Sequence, residues 1–256
     1  MFKGLPSLSV AVLGSGPRAL ASAICLSRHH TVTLGEATDF RRKCRLTRQS
    51  MYPDESGLEE LLSRTPTRIE FTNSFADALV TADLVVVAEQ PLFRKLERNF
   101  DMAMIENCLK VVARRRPRAT VILEAPAPVG YSIKASLQHR LEVIPAPLLL
   151  RRGNVARDRV QPPRIVVGSN SEQGLSYAFV AVRSCGDSNT PYLLTNSSEA
   201  EAIHAFERQR ALRGRSESQE EVVAYCRHRR LNEVQVLRGL QPVDYIYESQ
   251  LCALAG

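Results

Sequence analysis

The sequence predicts an α/β protein with a doubly wound parallel sheet in its N-terminal part and a mostly helical C-terminal part. Three observations lead to this prediction. Short apolar runs alternate with segments of helical periodicity, a glycine-containing turn joins the first strand to the first helix, and the second strand ends at an acidic residue. We expect a sheet domain over residues 1–185 and a helical segment over residues 186–256.

The first strand, turn and helix form the most specific motif of the sequence. An apolar strand over Leu8–Leu13 leads into the turn Gly14–Arg18 (GSGPR), and helical periodicity follows over Leu20–Leu26. Gly14 allows a tight turn, and Gly16 lets the backbone approach a pyrophosphate. The free N–H groups at the start of the helix favour the same anion. The pattern is typical of a Rossmann-like nucleotide-binding domain.

The remaining residues of the motif indicate which cofactor binds. Ser15 and Pro17 complete the cofactor-binding turn, and a proline suits the first position of a helix. For Arg18 two interpretations stay open: the guanidinium reaches a phosphate, or it lies in solvent. A second strand over Thr31–Leu34 is followed by Glu36, whose carboxylate can bind both ribose hydroxyls and therefore favours NAD over NADP. The alternative is a glycine-rich turn in an unrelated α/β protein.

The rest of the first domain continues the alternation of strands and helices. Right-handed crossovers place the carboxyl ends of parallel strands at one edge of the sheet, where the glycine turn and Glu36 would meet a cofactor. The predicted elements are a helix over Glu59–Ser63, a strand over Arg68–Phe71, a helix over Phe75–Val80, a strand over Leu84–Ala88, a helix over Asp101–Ala113, a strand over Thr120–Leu123, a helix over Tyr131–Leu141, and the last strands over Glu142–Ile144 and Arg164–Val167.

The C-terminal segment has a different pattern. A strand-like stub over Tyr192–Leu194 precedes a long, mostly helical stretch over Ser198–Arg230, which begins with a capping box between its first residue and Glu201. Residues Glu207–Glu221 are almost entirely polar, so this part of the helix is expected in solvent or between other elements. A second helix over Asn232–Gly239 and an irregular tail follow.

Composition excludes several classes of protein. None of the apolar runs approaches the ~18 residues of a membrane span, and the six cysteines form no CxxC pair, so we expect a cytoplasmic protein with reduced thiols. The five histidines show no metal-ligand spacing, and no metal is expected. The net charge of +7 comes mostly from arginines in separate clusters with few aromatic neighbours, which favours solvated helix ends over a nucleic-acid surface.

Several segments together resemble the UDP-glucose/GDP-mannose dehydrogenase family. The resemblance implies an NAD-linked oxidation of a sugar C6 alcohol through a cysteine-bound intermediate. The matching segments keep the family's order, and they are the glycine motif with His30–Glu36, Ala82–Pro91, Phe100-Asp101, Val121–Ser132 (VILEAPAPVGYS), Ala146–Gly153 (APLLLRRG), Arg164–Gly168, Leu193–Ile203 and Leu231–Gly239.

The resemblance also implies where the family's catalytic residues fall, and most of these positions hold other residue types. Cys252 lies too soon after the last matching segment to be the family's nucleophile and is expected to be an ordinary thiol. His204, at the lysine position, is a weak catalytic candidate, and the alternative is a partly packed surface histidine. The family's two glutamates fall on Leu148 and Arg152, its threonine on Pro126, and its asparagine on Arg208 or Gln209.

From this we expect an NAD-binding member of the family with impaired or lost catalysis, shortened and without the C-terminal UDP-binding domain. The resemblance implies that Arg41 lies near the adenosine ribose and that Gln90 and Pro91 lie beside the nicotinamide ribose. It also implies a weak or altered homodimer, because the central helix that pairs in relatives is polar here. Two alternatives stay open: an active short-form dehydrogenase acting on a nucleotide sugar, and a module whose polar helix docks to a full-length relative.

Overall fold

A computed structural model describes residues 7–36, 52–65, 69–94, 99–185, 189–214 and 216–241. Its elements alternate as a doubly wound fold requires. In chain order they are β1 (Ser9–Leu13), α1 (Pro17–Ser27), β2 (Thr31–Gly35), α2 (Ser56–Arg64), β3 (Ile69–Thr72), α3 (Phe75–Ala78), β4 (Leu84–Val87), β5 (Leu92–Arg94), β6 (Asn99–Asp101), α4 (Ala103–Arg115), β7 (Thr120–Leu123), α5 (Tyr131–His139), β8 (Glu142–Pro145), α6 (Val155–Val160), β9 (Ile165–Val167), α7 (Glu172–Ser184), β10 (Tyr192–Leu194), α8 (Ser197–Arg213), α9 (Gln219–Arg229) and α10 (Glu233–Leu240).

The central sheet has six parallel strands in the order β3-β2-β1-β4-β7-β8. Val10 of β1 lies opposite Val32 of β2 on one side and Leu84 of β4 on the other. Strand order reverses between β1 and β4, so the turn after β1 lies at the switch point where ligands bind in open α/β sheets. The predicted Rossmann-like fold is confirmed.

Helices cover both faces of the sheet. Helices α1 and α7 pack on one face, where Ile24 and Tyr177 join the same apolar cluster as Val12. Helices α3, α4 and α5 cover the other face, where Leu109 packs in the cluster of Leu13. Because both faces are buried, the inner strands are almost continuously apolar, and this is why the sequence showed their positions clearly.

The predicted last strand does not join the central sheet. Strand β9 pairs in parallel with β10 in a separate two-stranded sheet. A hydrogen bond of 2.7 Å from the Gly168 N–H to the Pro145 oxygen connects it to the end of β8. Strand β9 lies before the predicted domain boundary at residues 185/186 and β10 lies after it, so their pairing crosses this boundary. The boundary itself stays a prediction.

Two of the described strands and two of the described α-helices lack a counterpart in the sequence prediction. Strands β5 and β6 form an antiparallel pair after β4, with Phe93 and Phe100 in edge contact at 5.2 Å between ring centroids. Helix α6 has six residues, and the N–H of its first residue donates to the carboxylate of Glu55, which lies a hundred positions earlier in the sequence. Helix α7 buries Tyr177, Ala178, Val180 and Ala181 in the core, and the sequence prediction assigned no helix to this apolar segment.

The long predicted helix is two helices. Helix α8 ends at Gly214, which adopts a left-handed conformation with φ of 68°, and this is a common way to close a helix. The capping box lies at Ser218 and Glu221 and starts α9. The predicted box at the start of α8 is wrong, because the Glu201 carboxylate is used by another helix. Helix α10 packs on both α8 and α9, and Phe206 of α8 meets Tyr225 of α9 edge-on at 5.1 Å.

Candidate functional site

The turn between β1 and α1 has the backbone that its glycines predict. Gly14 has φ of 150°, and a Cβ there would lie 2.8 Å from the backbone nitrogen of Glu89. Gly16 has φ of 99°, and a Cβ there would meet no heavy atom within 4 Å. Gly14 therefore allows the turn to pack closely against the loop after β4, whereas Gly16 leaves open space beside the turn.

The first turn of α1 leaves backbone donors available. The first helical hydrogen bond runs from the Leu20 N–H to the Gly16 oxygen over 3.2 Å, so the N–H groups of Arg18 and Ala19 have no partner within the helix. Pro17 occupies the first helical position. Among the residues that the structure describes, no side chain caps this end, and its first turn holds no acid. Such a terminus attracts an anion.

The Glu89 carboxylate lies directly against the turn. Its Oε2 accepts a hydrogen bond of 2.9 Å from the Ser15 N–H, and its Oε1 accepts one of 3.2 Å from the Gln90 N–H. The side chain is only 6% exposed. Burial raises the pKa of Glu89, and the two backbone hydrogen bonds act in the opposite direction.

The Arg18 guanidinium contacts the protein and does not extend into solvent, while its predicted contact with a phosphate stays a prediction. Its Nη1 and Nη2 donate to the backbone oxygens of Leu148 and Leu150 at 3.2 and 2.9 Å. Burial lowers the pKa of Arg18 to about 10, still far above neutral pH. The guanidinium therefore joins α1 to the segment after β8, a contact between residues more than a hundred positions apart that the local sequence does not signal.

A cavity of about 500 Å³ opens beside Pro17 and Arg18. Two acidic residues on its wall already have partners. Glu55 accepts hydrogen bonds from the N–H groups of Gly153 and Val155 at 2.7 and 3.0 Å and so caps α6, while Asp54 forms an ion pair with Arg152. The cavity is lined by Pro17, Arg18, Tyr52, Asp54, Glu55, Gln90, Leu150, Arg152 and Val155.

The remaining predicted cofactor contacts lie at the same edge of the sheet. Glu36 directly follows β2, is 6% exposed, and is held close to the turn because the Gly14 N–H donates to the Gly35 oxygen over 3.1 Å. Gln90 and Pro91 follow β4, and the Gln90 side chain donates to the Pro91 oxygen. Arg41 lies outside the described residues. The structure gathers these residues at one edge, and their contacts with a cofactor stay predictions.

His204 is buried, so the expectation of a partly packed surface histidine is wrong. It is 5% exposed on α8 and lies against the backbone of Leu148. Burial, with the positive charges of Arg18 and Arg208, lowers the pKa of His204 to about 3. The imidazole is therefore neutral near pH 7. Cys252, the other catalytic candidate weighed from the sequence, lies outside the described residues.

Arg208, at the position matched to the family's asparagine, has its guanidinium over two aromatic rings. It lies 4.5 Å from the ring centroid of Phe93 and 4.9 Å from that of Phe100. Burial lowers the pKa of this guanidinium. The contact attaches α8 to the β5–β6 pair by a cation–π interaction.

A buried polar network under α1 was missed from the sequence. The Glu124 carboxylate follows β7 and accepts hydrogen bonds from Ser22 and, at 2.6 Å, from the Tyr177 hydroxyl. Arg159 lies 3.5 Å from the same carboxylate, and both side chains are at most 3% exposed. The only local signal was a charged residue directly after a buried strand. Through Ser22, this network fastens α1 to the carboxylate that follows β7.

The comparisons with known proteins agree with this geometry. Residues 8–181 match the model of the UDP-glucose/GDP-mannose dehydrogenase family, NAD binding domain. The chain belongs to this family. It is 22% identical over 206 residues to a UDP-glucose 6-dehydrogenase of Streptococcus pneumoniae, covering 78% of this chain and 52% of the relative. It is 26% identical over 180 residues to a UDP-glucose 6-dehydrogenase of Pseudomonas aeruginosa, covering 65% of this chain and 40% of the relative.

Solved structures show the same fold as this member of the UDP-glucose/GDP-mannose dehydrogenase family. A UDP-glucose dehydrogenase from Pyrobaculum islandicum superposes with a TM-score of 0.67 at 20% identity, covering 92% of this chain and 60% of that one. A GDP-mannose dehydrogenase from Pseudomonas aeruginosa, solved as a ternary complex, gives 0.64 at 21% identity, covering 79% and 50%. The chain thus spans about half the length of the curated relatives it matches.

The chain therefore carries the NAD-binding domain of an oxidoreductase family. No helix in the described part of the chain is both long and apolar enough to cross a membrane. Within the same residues, no group of three His, Cys, Asp or Glu side chains is placed to hold a metal ion.

Proposed function

We propose that the protein binds NAD at the turn between β1 and α1 and that it does not carry out the full oxidation of a nucleotide sugar. The observation that carries the first half is the uncapped N-terminus of α1 beside a glycine with open space around it. Glu36 supplies the carboxylate for the ribose hydroxyls at the end of β2, and the cavity beside Pro17 gives room for the rest of the molecule.

NAD, when bound, supplies a hydride acceptor. The chain's own residues then have a limited role: the N–H groups of Arg18 and Ala19 face the pyrophosphate, and Glu36 selects an unphosphorylated ribose. Arg18 positions α1 against the segment after β8 through its two carbonyl contacts. This arrangement binds and orients a dinucleotide without contributing an acid or a base.

The second half of the proposal rests on what stands at the positions matched to the family's catalytic residues. Oxidation of an alcohol to an acid needs a nucleophile, a base and groups that stabilise an oxyanion. Leu148 is apolar, and His204 is buried and neutral. Arg208 is stacked on Phe93 and Phe100. These residues cannot supply the three functions in their present roles.

Calorimetric titration with NAD tests the cofactor half. We expect saturable binding to the wild-type protein and at least tenfold weaker binding to Gly16→Ala, because the added Cβ occupies the approach of the pyrophosphate. Gly130→Ala is the matched control: Gly130 also precedes a helix, has φ of 88°, and would likewise place a Cβ more than 4 Å from any heavy atom. Equal NAD affinity of the two variants would contradict the proposal.

The catalytic half is tested by following NADH absorbance after addition of UDP-glucose or GDP-mannose to the NAD-loaded protein. We expect no NADH above the level of the Gly16→Ala variant. Turnover that disappears in Gly16→Ala would instead establish an active short-form dehydrogenase, and its loss in Cys252→Ser would identify the nucleophile. Titration with UDP-glucose then shows whether a nucleotide sugar binds without being oxidised.

A further inference from the structure

Glu89 is the one acidic side chain that the structure places in hydrogen-bond contact with the glycine turn, among the residues described. Its carboxylate accepts from the Ser15 N–H at 2.9 Å, and its backbone packs against Gly14 so closely that a Cβ on that glycine would come within 2.8 Å of its nitrogen. The side chain is 6% exposed. It is therefore fixed against the turn by both its backbone and its carboxylate.

Among the residues that the structure describes, no cation lies close enough to form an ion pair with this carboxylate. Other acids close to the cavity or to α1 have partners: Asp54 pairs with Arg152, and Glu124 pairs with Arg159. Within the described residues, Glu89 forms no ion pair, and its partners are two backbone N–H groups. Burial accordingly raises its pKa, as expected for a carboxylate whose charge is poorly solvated.

A negative charge in this place has a consequence for any phosphate ligand. The backbone donors at the end of β1 and the start of α1 form a single region of positive potential. A carboxylate on the Ser15 N–H occupies part of that region, and it repels a second anion brought to the neighbouring N–H groups of α1. The protein thus carries its own anion at the entrance to the proposed dinucleotide site.

We propose that Glu89 sets the affinity for dinucleotides by acting as an internal anion of the glycine turn, so that a pyrophosphate binds against its charge. The inference rests on the proposed function, since it assumes that a pyrophosphate is the ligand. It assigns Glu89 a role in affinity for the phosphate part of the ligand, and none in contacts with the adenine or the ribose.

The test compares Glu89→Gln with the wild-type protein by calorimetry, using NAD, ADP and adenosine as ligands. Glutamine keeps the size and one acceptor oxygen for the Ser15 N–H while it removes the charge. We expect NAD and ADP to bind at least tenfold more tightly to Glu89→Gln, and adenosine, which has no phosphate, to bind equally to both proteins.

Asp83→Asn is the matched control. Asp83 precedes β4 and accepts a hydrogen bond of 2.8 Å from the Ser9 N–H of β1, so it bridges the same two strands at their opposite end. Its neutral variant should bind NAD with wild-type affinity. Thermal unfolding of both variants verifies that each is folded before titration.

The outcomes separate the two proposals. If the wild-type protein binds NAD and Glu89→Gln binds it with the same affinity, the role of Glu89 is refuted while NAD binding stands. If adenosine gains as much as ADP, the substitution has reshaped the site, and the inference is also refuted. If the wild type shows no binding and Glu89→Gln binds NAD, the inference holds and the wild-type function is wrong. Absence of binding to both proteins overturns both proposals.

Discussion

Two strand–turn–helix units of the sheet each place a glycine with positive φ directly before the helix, although the ψ angles of the two glycines differ. Gly16 before α1 and Gly130 before α5 both have positive φ, 99° and 88°, and open space where a Cβ would lie. The N-terminus of α5 is filled by Glu201 of α8, which accepts from the N–H groups of Gly130 and Ser132 at 2.6 and 2.9 Å and from the Ser132 hydroxyl at 2.7 Å. The described residues place no such group on α1.

The difference shows that a glycine with positive φ before a helix can serve two purposes. At α5 the protein supplies the anion itself, so the helix terminus becomes a joint that fastens α8 to the sheet domain. At α1 the first N–H groups of the helix have no such acceptor among the described residues. The Glu89 carboxylate instead accepts from the N–H of Ser15, which precedes the helix. A glycine turn before a helix therefore marks a ligand site only where no side chain of the chain already occupies it. Four predictions test this contrast.

The largest expected effect concerns the support of α1. Glu124→Ala removes the charge that faces the buried Arg159 and leaves Ser22 and Tyr177 without their acceptor. We expect a loss of about 3–5 kcal/mol in the free energy of unfolding, because an uncompensated buried cation remains. Urea unfolding measures it. Tyr177→Phe, which removes a single hydrogen bond, should cost about 1 kcal/mol, and equal costs for the two variants would disprove the network.

The second prediction compares the two acids at the two turns. Glu201→Ala leaves three donors at the start of α5 without an acceptor in a buried place, and we expect a cost of about 3 kcal/mol. Glu89→Ala should cost about 1 kcal/mol or less, because Ser15 is only half-buried and water can replace the carboxylate at its N–H. Thermal and urea unfolding of both variants provide the comparison. Similar losses would mean that the two turns do not differ in the way described.

The third prediction concerns pH and His204, which lies on α8 one turn after Glu201. The unfolded chain binds a proton on this histidine below its usual pKa of 6.5, whereas the folded protein does so only near a pKa of about 3. Stability therefore falls as the pH drops through this window, by about 1.4 kcal/mol for each pH unit.

His204→Gln removes this proton uptake and keeps a neutral donor. Between about pH 7 and about pH 5, the variant should lose about 2 kcal/mol less stability than the wild-type protein. Urea unfolding at both pH values measures the difference. Parallel losses in the two proteins would show that His204 is accessible to protons in the folded state.

The smallest effect is expected where α4 contacts α5 through Glu106. Glu106 of α4 accepts from the Tyr131 hydroxyl and from His139, each at 2.7 Å, and so joins both ends of α5. Burial alone would raise the pKa of Glu106, but these hydrogen bonds outweigh it, and the net shift is downward.

A lowered carboxyl pKa contributes stability that is present above its ordinary value of 4.5 and is lost as the pH falls. Glu106→Gln should therefore cost about 1 kcal/mol near pH 7 and little below about pH 4. Unfolding curves at the two pH values test this. A cost that does not change with pH would assign the effect to packing and not to charge.

The sequence predicted what depends on neighbouring residues. The apolar runs of β1 and β4 and the glycines of the first turn have local causes, namely burial on both faces and positive φ. The sequence prediction failed where a side chain interacts with residues that lie far away in the sequence. Glu201 looked like part of a local capping box, yet it serves a helix whose first residues lie about seventy positions earlier. His204 looked exposed because the segment that covers it, around Leu148, comes from another part of the chain.

The left-handed turn at Gly214 limits the length of the continuous helix in the C-terminal segment. An uninterrupted helix grows by roughly 1.5 Å per residue, so α8 and α9 joined end to end would form a rod projecting away from the sheet domain. The chain instead breaks at Gly214, and the ring of Tyr225 lies against the ring of Phe206. The end of α8 at Gly214 and the new helix start at Ser218 together allow these two apolar rings to cover each other.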